Sequence, residues 1–440
     1  MTLMTETPTD ARPVDGGTPP DTDFKTRYTT VRKATTDFCE PLCPEDFVVQ
    51  TMQDVSPTKW HLAHTSWFFE TFLLSPHLPG YREKHPLYNY LFNSYYVSVG
   101  DRHCRIARGN ISRPTVDEVF EYRRYVDEHM HRLIDAGLTD ETAALVELGL
   151  HHEQQHQELM VTDLKHVLSA NPLYPVYREL ADPPLGKPAP FSFVPFEEGV
   201  YPIGHHAEED CRFCYDNETP RHRVFLEPFA LADRPLLNAD VIAFIEDGGY
   251  DTANLWLSAA WAQINADPKD WKQPLYWDKV DGVWHHFTLH GFVPVDPAEI
   301  ACHLSYYEAD AIARWMDYRL PTEFEWEVAC NQAGEMDGVF ADDKRFHPGR
   351  APDLKSPISN LKSALGGVWE WTQSQYTAYP GYRSLPGAIG EYNGKFMANQ
   401  FVLRGGSCAT PRSHIRPTYR NFFPADARWQ FSGARLAKSL

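Results

Sequence analysis

The chain has 440 residues, with 41 Lys+Arg against 60 Asp+Glu and a formal net charge of −19. A strongly negative surface repels phosphate backbones and excludes nucleic acid as a main partner. With 42% apolar and 13% aromatic residues, most of the chain can bury a core, and its length suits two or three domains. No run of about 18 apolar residues occurs. The first residues lack the charged-then-apolar pattern of a signal peptide, so a cytoplasmic location without membrane contact is expected. Eight cysteines spread over a long chain in a reducing compartment argue against a disulfide framework.

Residues 1–23 are rich in Pro, Thr, Asp and Gly and poor in apolar side chains, the composition of a disordered tail. From 24 to 170 the apolar period is helical, with helices expected near 24–38, 57–75, 115–136 and 140–169. Ser56 before Pro57, Thr115 before Asp117 and Glu118, and Thr139 before Asp140 and Glu141 supply capping hydroxyls, and Gly137 ends the third helix. Four such helices make a four-helix bundle, a fold that builds metal sites from inward-facing side chains. Residues 171–195 are a Pro-rich linker. From 196 to 440 Trp, Tyr, Gly and Pro are dense, turns are frequent, and helical periods recur best at Asn238–Asp247 and Ser305–Asp317. The second domain is therefore an irregular α+β domain with short strands, and the chain as a whole is α+β in two domains.

Twenty histidines in this chain would give about one pair spaced by four residues by chance, and there are two, His152/His156 and His286/His290. The second lies in a strand-like stretch, Gly282 to Gly291, where four residues span about 13 Å, too far for one ion. On a helix the same spacing brings side chains to about 6 Å. Leu145, Leu148, His152, His156 and Leu159 form one stripe of the fourth helix, so both imidazoles point into the bundle, and His151 falls on the flank. On the second helix Trp60, His64, Trp67, Phe68 and Phe72 share a face, which makes His64 the candidate third ligand and leaves His61 at the edge. Three imidazoles would leave open positions on an octahedral Fe(II). His-Glu-x-x-His is also the zinc-protease signature, with Glu153 as base, but a third ligand downstream is poor.

Trp60-His-Leu-Ala-His64 with His152-Glu-Gln-Gln-His156 resembles the DinB-like bundle of the EgtB family of ergothioneine-biosynthesis sulfoxide synthases. Tyr215-Asp-Asn-Glu-Thr-Pro-Arg-His, Arg319-Leu-Pro-Thr-Glu-Phe-Glu-Trp-Glu, Gly367-Val-Trp-Glu-Trp-Thr, Leu403-Arg-Gly-Gly-Ser and Ser432-Gly-Ala-Arg-Leu-Ala resemble the formylglycine-generating-enzyme/sulfatase-modifying fold, a C-type-lectin-like domain. The resemblance covers about residues 25–440. It implies a non-haem Fe(II) enzyme, with Fe(2+) on His64, His152 and His156, that uses O2 to join a thiol to the imidazole C2 of hercynine as a sulfoxide. It places Gln155 on the substrate imidazole and Asn421, Phe422 and Phe423 in the substrate-binding loop. The two rings suit a trimethylammonium group, which cannot donate hydrogen bonds.

Tyr95 and Tyr96, on a loop between the second and third helices, match the subtype whose active tyrosine sits in the helical domain, and a phenol can supply a proton or a hydrogen atom. Arg102 and Arg105 match positions that bind the thiol's carboxylate. Two arginines would suit γ-glutamylcysteine, but the Tyr-Tyr and Phe-Phe pattern favours cysteine. An OvoA-like 5-histidylcysteine sulfoxide synthase, a selenium-using relative and a non-catalytic DinB-type metal- or thiol-binding protein are the alternatives. Cys211-Arg-Phe-Cys214 has the spacing of half a zinc site without a second half. Cys408 follows Ser407 with no cysteine downstream, which argues against sulfatase modification. Nothing in the sequence sets the oligomeric state.

Overall fold

The computed structural model describes residues 23–180, 184–206, 210, 212–268, 271–334, 336–350, 361–385 and 390–440; the expected tail before Asp23 and Cys211 lie outside them. Four long helices come first: α1 (Phe24–Cys39), α2 (Thr58–Phe69), α3 (Val116–Asp135) and α4 (Asp140–Ser169). Thr115 and Thr139 close capping boxes with residues three further on. Ser56 does not cap α2; Pro57 occupies that position, and the Ser56 hydroxyl accepts from Arg108 instead. Helical winding continues past α2 through a π-turn at Glu70–Leu74. The buried Glu70 carboxylate there accepts from the Tyr81 and Tyr122 hydroxyls and the Lys84 amide.

Trp67, Phe68, Val126, Met130, Val146, Leu150 and Leu164 fill the bundle. Running through that apolar interior is an ionic group. Glu153 of α4 is fully buried and accepts from Arg32 (2.9 Å), from Thr35 (2.6 Å) and from Arg123. An unpaired charge there would cost several kcal/mol, so the three elements α1, α3 and α4 are held in one register by this carboxylate.

The second part begins with β1 (Phe193–Phe196), β2 (Gly199–Ile203), β3 (His222–Leu226) and β4 (Phe229–Ala232). Helices α5 (Asn238–Glu246) and α6 (Ser258–Ala266) follow, then β5 (Trp277–Val280), β6 (Val283–Thr288) and β7 (Gly291–Pro294). After α7 (Tyr306–Trp315) and α8 (Glu323–Ala333) come β8 (Trp369–Gln375), β9 (Phe401–Arg404), β10 (Asn421–Phe423), β11 (Ser432–Ala434) and β12 (Ala437–Ser439). They form sheets ordered β1-β4-β12, β10-β9-β8-β11, β2-β3 and β5-β6-β7. The many short strands follow from the density of turn residues. Buried Arg404 and Arg420 meet on Glu323 of α8, and Arg435 pairs with Glu370 of β8, tying the strands to the helices.

The two domains share a dry seam, because Phe287, Leu289, Ile300, Val368, Cys408 and Phe431 pack into the same apolar cluster as the bundle core. Glu158 of α4 crosses it, accepting from Trp369 (2.7 Å) and Thr410 (2.8 Å). His151 is buried there rather than lying on an open flank. Its ring stacks on Phe213 and its Nδ1 lies 2.8 Å from that of His414. A helix facing solvent on its polar side would leave that imidazole wet, whereas the second domain covers it.

Burial by itself would raise the Glu153 carboxyl, but Arg123 and Arg32 hold it down at about 2. Because the folded value lies below the unfolded one near 4.5, its stabilisation is full above pH 4.5 and is lost as pH falls towards 2. Urea unfolding followed from pH 7 to pH 2 should show this loss, and Glu153→Gln should abolish that part of the pH dependence while costing about 3–5 kcal/mol at pH 7.

Candidate metal centre and active site

His152 and His156 project from α4 and His64 from α2, and one nitrogen of each lies within 4.8 Å of the other two. All three rings are buried. Nε2 of His64 is 3.2 Å from Nε2 of His152, near the separation of two donors that each sit about 2.1 Å from one ion. Burial drives all three well below the ordinary histidine value, His152 to about 4, so the rings are neutral and their lone pairs available.

Surrounding groups set which nitrogen faces the others. His64 Nδ1 donates to the Phe92 carbonyl at 2.5 Å, leaving its Nε2 as the lone pair. Asp163 accepts from the Ser56 amide and, at 3.0 Å, from His61 Nε2. That leaves His61 Nδ1 as an acceptor for His156 Nδ1 at 2.8 Å, and frees His156 Nε2. His61 therefore lies inside the bundle, not at its edge, and orients a neighbour of the cluster. His152 Nδ1 is buried without a hydrogen-bond partner. A set of three neutral nitrogens with two oriented tautomers fits a borderline divalent ion such as Fe(II) or Zn(II). Glu153, the residue a zinc protease would use as base, is turned away onto Arg32 and Arg123.

The cluster faces a cavity of about 230 Å³ lined by both domains. Tyr95, Tyr96, Arg105, Gln155, Asn421, Phe422 and Phe423 all border it. Tyr96 is buried with its ring near Trp67 and Phe72, while Tyr95 is half-buried, its hydroxyl accepting from Arg105 at 2.9 Å. Gln155 Nε2 donates to the Tyr419 hydroxyl at 2.7 Å. Phe422 stacks on Tyr376 with centroids 4.1 Å apart, and Phe396 and Tyr392 stand beside it. Phe423 turns to the other side of the strand against Trp429, and Asn421 accepts from the Phe422 amide.

Arg102 is not brought to the cavity. It is exposed, and its guanidinium donates to the Ser94 carbonyl. Arg108 stands there instead, buried, with its guanidinium 3.3 Å from the Trp60 ring centre. It donates to the Ser56 and Ser94 hydroxyls, has a buried Nε without a partner, and makes no carboxylate pair among the described residues. Burial pushes it down to about 9, still charged at neutral pH. Arg105–Asn110 is a 3₁₀ helix, in which residues three apart eclipse, so the Arg105-x-x-Arg108 spacing itself puts both on one face. Phe396 and Tyr392 lay in a stretch without periodic signal.

Cys408 is fully buried and burial pushes its thiol well above the ordinary value, so it is not poised as a nucleophile. Removing the His61 ring should leave His156 unoriented. We expect His61→Ala to weaken Fe(II) or Zn(II) binding at this cluster by about 10–100-fold without abolishing it, and His152→Ala to abolish binding at this cluster. Equilibrium dialysis with metal analysis distinguishes the two, and equal losses in both variants would contradict this assignment.

Residues 27–160 match the family model of the DinB superfamily, and residues 191–440, more than half of the chain, match that of the sulfatase-modifying factor enzyme 1-like domain. The hercynine oxygenase of Mycolicibacterium smegmatis is 29% identical over 411 residues, covering 87% of this chain and 91% of its own. That of Mycobacterium tuberculosis is 28% identical over 440 residues, covering 94% and 96%. The formylglycine-generating enzyme of Mycobacterium tuberculosis is 28% identical over 217 residues, covering 39% of this chain and 71% of its own. The chain belongs to the family of the sulfatase-modifying factor enzyme 1-like domain, joined here to a DinB-superfamily helical domain, with EgtB-type hercynine oxygenases as relatives along most of its length.

Proposed function

We propose that this chain is an EgtB-type sulfoxide synthase of ergothioneine biosynthesis, an oxidoreductase that joins the sulfur of cysteine or γ-glutamylcysteine to C2 of the hercynine imidazole. The observation that carries the reading is the buried three-histidine cluster opening on a cavity between the two domains, walled by an unneutralised guanidinium and an aromatic cluster. Relatives that are hercynine oxygenases over most of their length support it. In the net reaction the C2–H and S–H bonds break and a C–S bond forms. One oxygen atom goes to sulfur, and the other leaves as water with the two hydrogens.

Fe(2+) held by His64, His152 and His156 would supply the redox chemistry that activates O2 and a site for the thiolate. The chain's own groups would do the rest. Arg108, with Arg105 beside it, would hold the thiol's carboxylate, since a buried cation with no carboxylate partner among the described residues is compensated when an anion binds. Arg105 donates to the Tyr95 oxygen, so the phenol hydrogen stays free to point into the cavity as a proton donor. Gln155 spends its amide hydrogen on Tyr419 and keeps Oε1 to accept from the substrate imidazole N–H. Phe422, with Phe396 and Tyr392, would receive the trimethylammonium face-on. Arg105 already lies 3.6 Å from the Asp54 carboxylate, which leaves Arg108 as the clamp for a single thiol carboxylate and favours cysteine.

Fe(II) is loaded without air, and O2 uptake is then followed with hercynine and either thiol, the product being read by mass spectrometry. A C–S-coupled sulfoxide is expected, and its absence with every combination would overturn the reading. Arg108→Gln should raise KM for the thiol by about 10–150-fold, the worth of a hydrogen-bonded charge, with a smaller change in kcat. Tyr95→Phe should lower kcat by about 10²-fold or more, and a larger loss in Tyr96→Phe would move the proton donor to Tyr96.

A further inference from the structure

His286, Glu299 and His347, in the sheet-containing domain, bring one donor atom each within 4.8 Å of the other two. They share no residue with the cluster of α2 and α4. We infer that these three residues form a second metal site, one that takes a zinc-type divalent ion in a structural role.

Three observations carry this. Nε2 of His347 lies 2.9 Å from Oε2 of Glu299, close to the edge expected of two donors on one ion, and the His286 and His347 rings meet edge to face at 5.4 Å. Glu299 holds the His347 ring through Nε2 alone, since Nδ1 is buried with no hydrogen-bond partner, so no second hydrogen bond ties Nε2 away from an ion. All three residues are largely shielded from water, at 5%, 8% and 8% exposure. Burial, with His347 and Lys165 nearby, keeps His286 neutral and its lone pair available. Two imidazoles and one carboxylate are a donor set that suits zinc.

The backbone holds the donors in place before any ion arrives. His286 sits in β6, in register with Trp277 of β5 and Val293 of β7. Glu299 forms a bridge with Arg350, its carbonyl accepts from the Asn238 amide, and the next amide, Ile300, donates to Gly349. Those same bonds fix the turn that carries His347. Within that turn Phe346 is held at φ 47°, an uncommon conformation for a bulky residue. Three separate segments are thus pinned around one point, the arrangement a metal site needs.

Neighbouring groups that might have claimed the donors are engaged elsewhere. Lys165 donates to His303 at 2.8 Å. His290, the partner suggested by spacing, has one ring nitrogen on the Arg178 carbonyl and the other on the Arg345 carbonyl. It therefore leaves His286 to Glu299 and His347. An ion here would bind β6, the 296–300 segment and the 346–350 turn together where this domain meets α4.

The test uses the full chain, stripped with a chelator, reloaded with Zn(II), dialysed and analysed for metal. Two zinc ions per chain are expected in the unsubstituted protein and one in His152→Ala/His156→Ala. Adding Glu299→Gln or His347→Gln to that background should remove the remaining ion and the rise in Tm on adding Zn(II). Both substitutions keep a side chain able to hydrogen-bond its neighbour, and His286→Gln serves if either fails to fold by circular dichroism. A single zinc in the unsubstituted protein that disappears in His152→Ala/His156→Ala would overturn the inference. So would a second zinc indifferent to all three substitutions, and either result would leave Glu299 and His347 as a hydrogen-bonded pair.

Discussion

Placing two imidazoles one turn apart in the centre of a helical bundle creates an obligation that the rest of the molecule meets at every ring nitrogen turned from the cluster except His152 Nδ1. A buried polar nitrogen without a partner costs free energy, and nearby polar groups are therefore recruited to answer it. The Phe92 carbonyl takes the proton of His64, and Asp163 acts through His61 on His156. What is left over, three lone pairs converging within a few ångströms, is the property that a metal ion would use. The charge this helix brings into the interior is compensated by its neighbours, since Glu153 faces Arg32 of α1 and Arg123 of α3.

Helix α4 is read from two directions. Its inward face holds the histidines, and its outward face, with His151, Gln154, Gln155 and Glu158, is bonded to the 407–419 segment of the second domain. The cavity exists only because both faces are occupied. Neither domain alone would enclose it, as the nitrogens come from one and the aromatic wall from the other. The wall also carries Arg108, whose charge meets no carboxylate among the described residues, and such a group is tolerable in a folded protein when a bound anion completes it.

Much of the local structure was legible along the chain. Apolar period and capping threonines located the four long helices to within a residue or two, except at the end of α2, which stops at Phe69 and passes into the π-turn rather than running to 75; Pro57, not Ser56, is its cap. The choice of His64 over His61 also came from helical phase. Phase does not tell what a side chain at the margin touches, so His61 and His151 were both placed too far outside. His61 is covered by α4 and His151 by a loop 263 residues later, and neither neighbour is visible in a window of one helix. Arg108 stands where Arg102 was expected for a related reason: three evenly spaced arginines look alike until the 3₁₀ turn decides which of them face inward.

By itself the sequence determined the elements, the inward direction of His152 and His156, and the exclusion of a strand-borne His286/His290 pair, because periodicity and backbone rise are local properties. Tertiary structure decided which distant residues complete each cluster. Asp163 reaches His61, Tyr419 reaches Gln155, and Glu299 and His347 come to His286, each across a separation that leaves no periodic trace. The physical reason is that a buried polar group selects partners by direction and distance in space, and those are set only when the helices and sheets have packed.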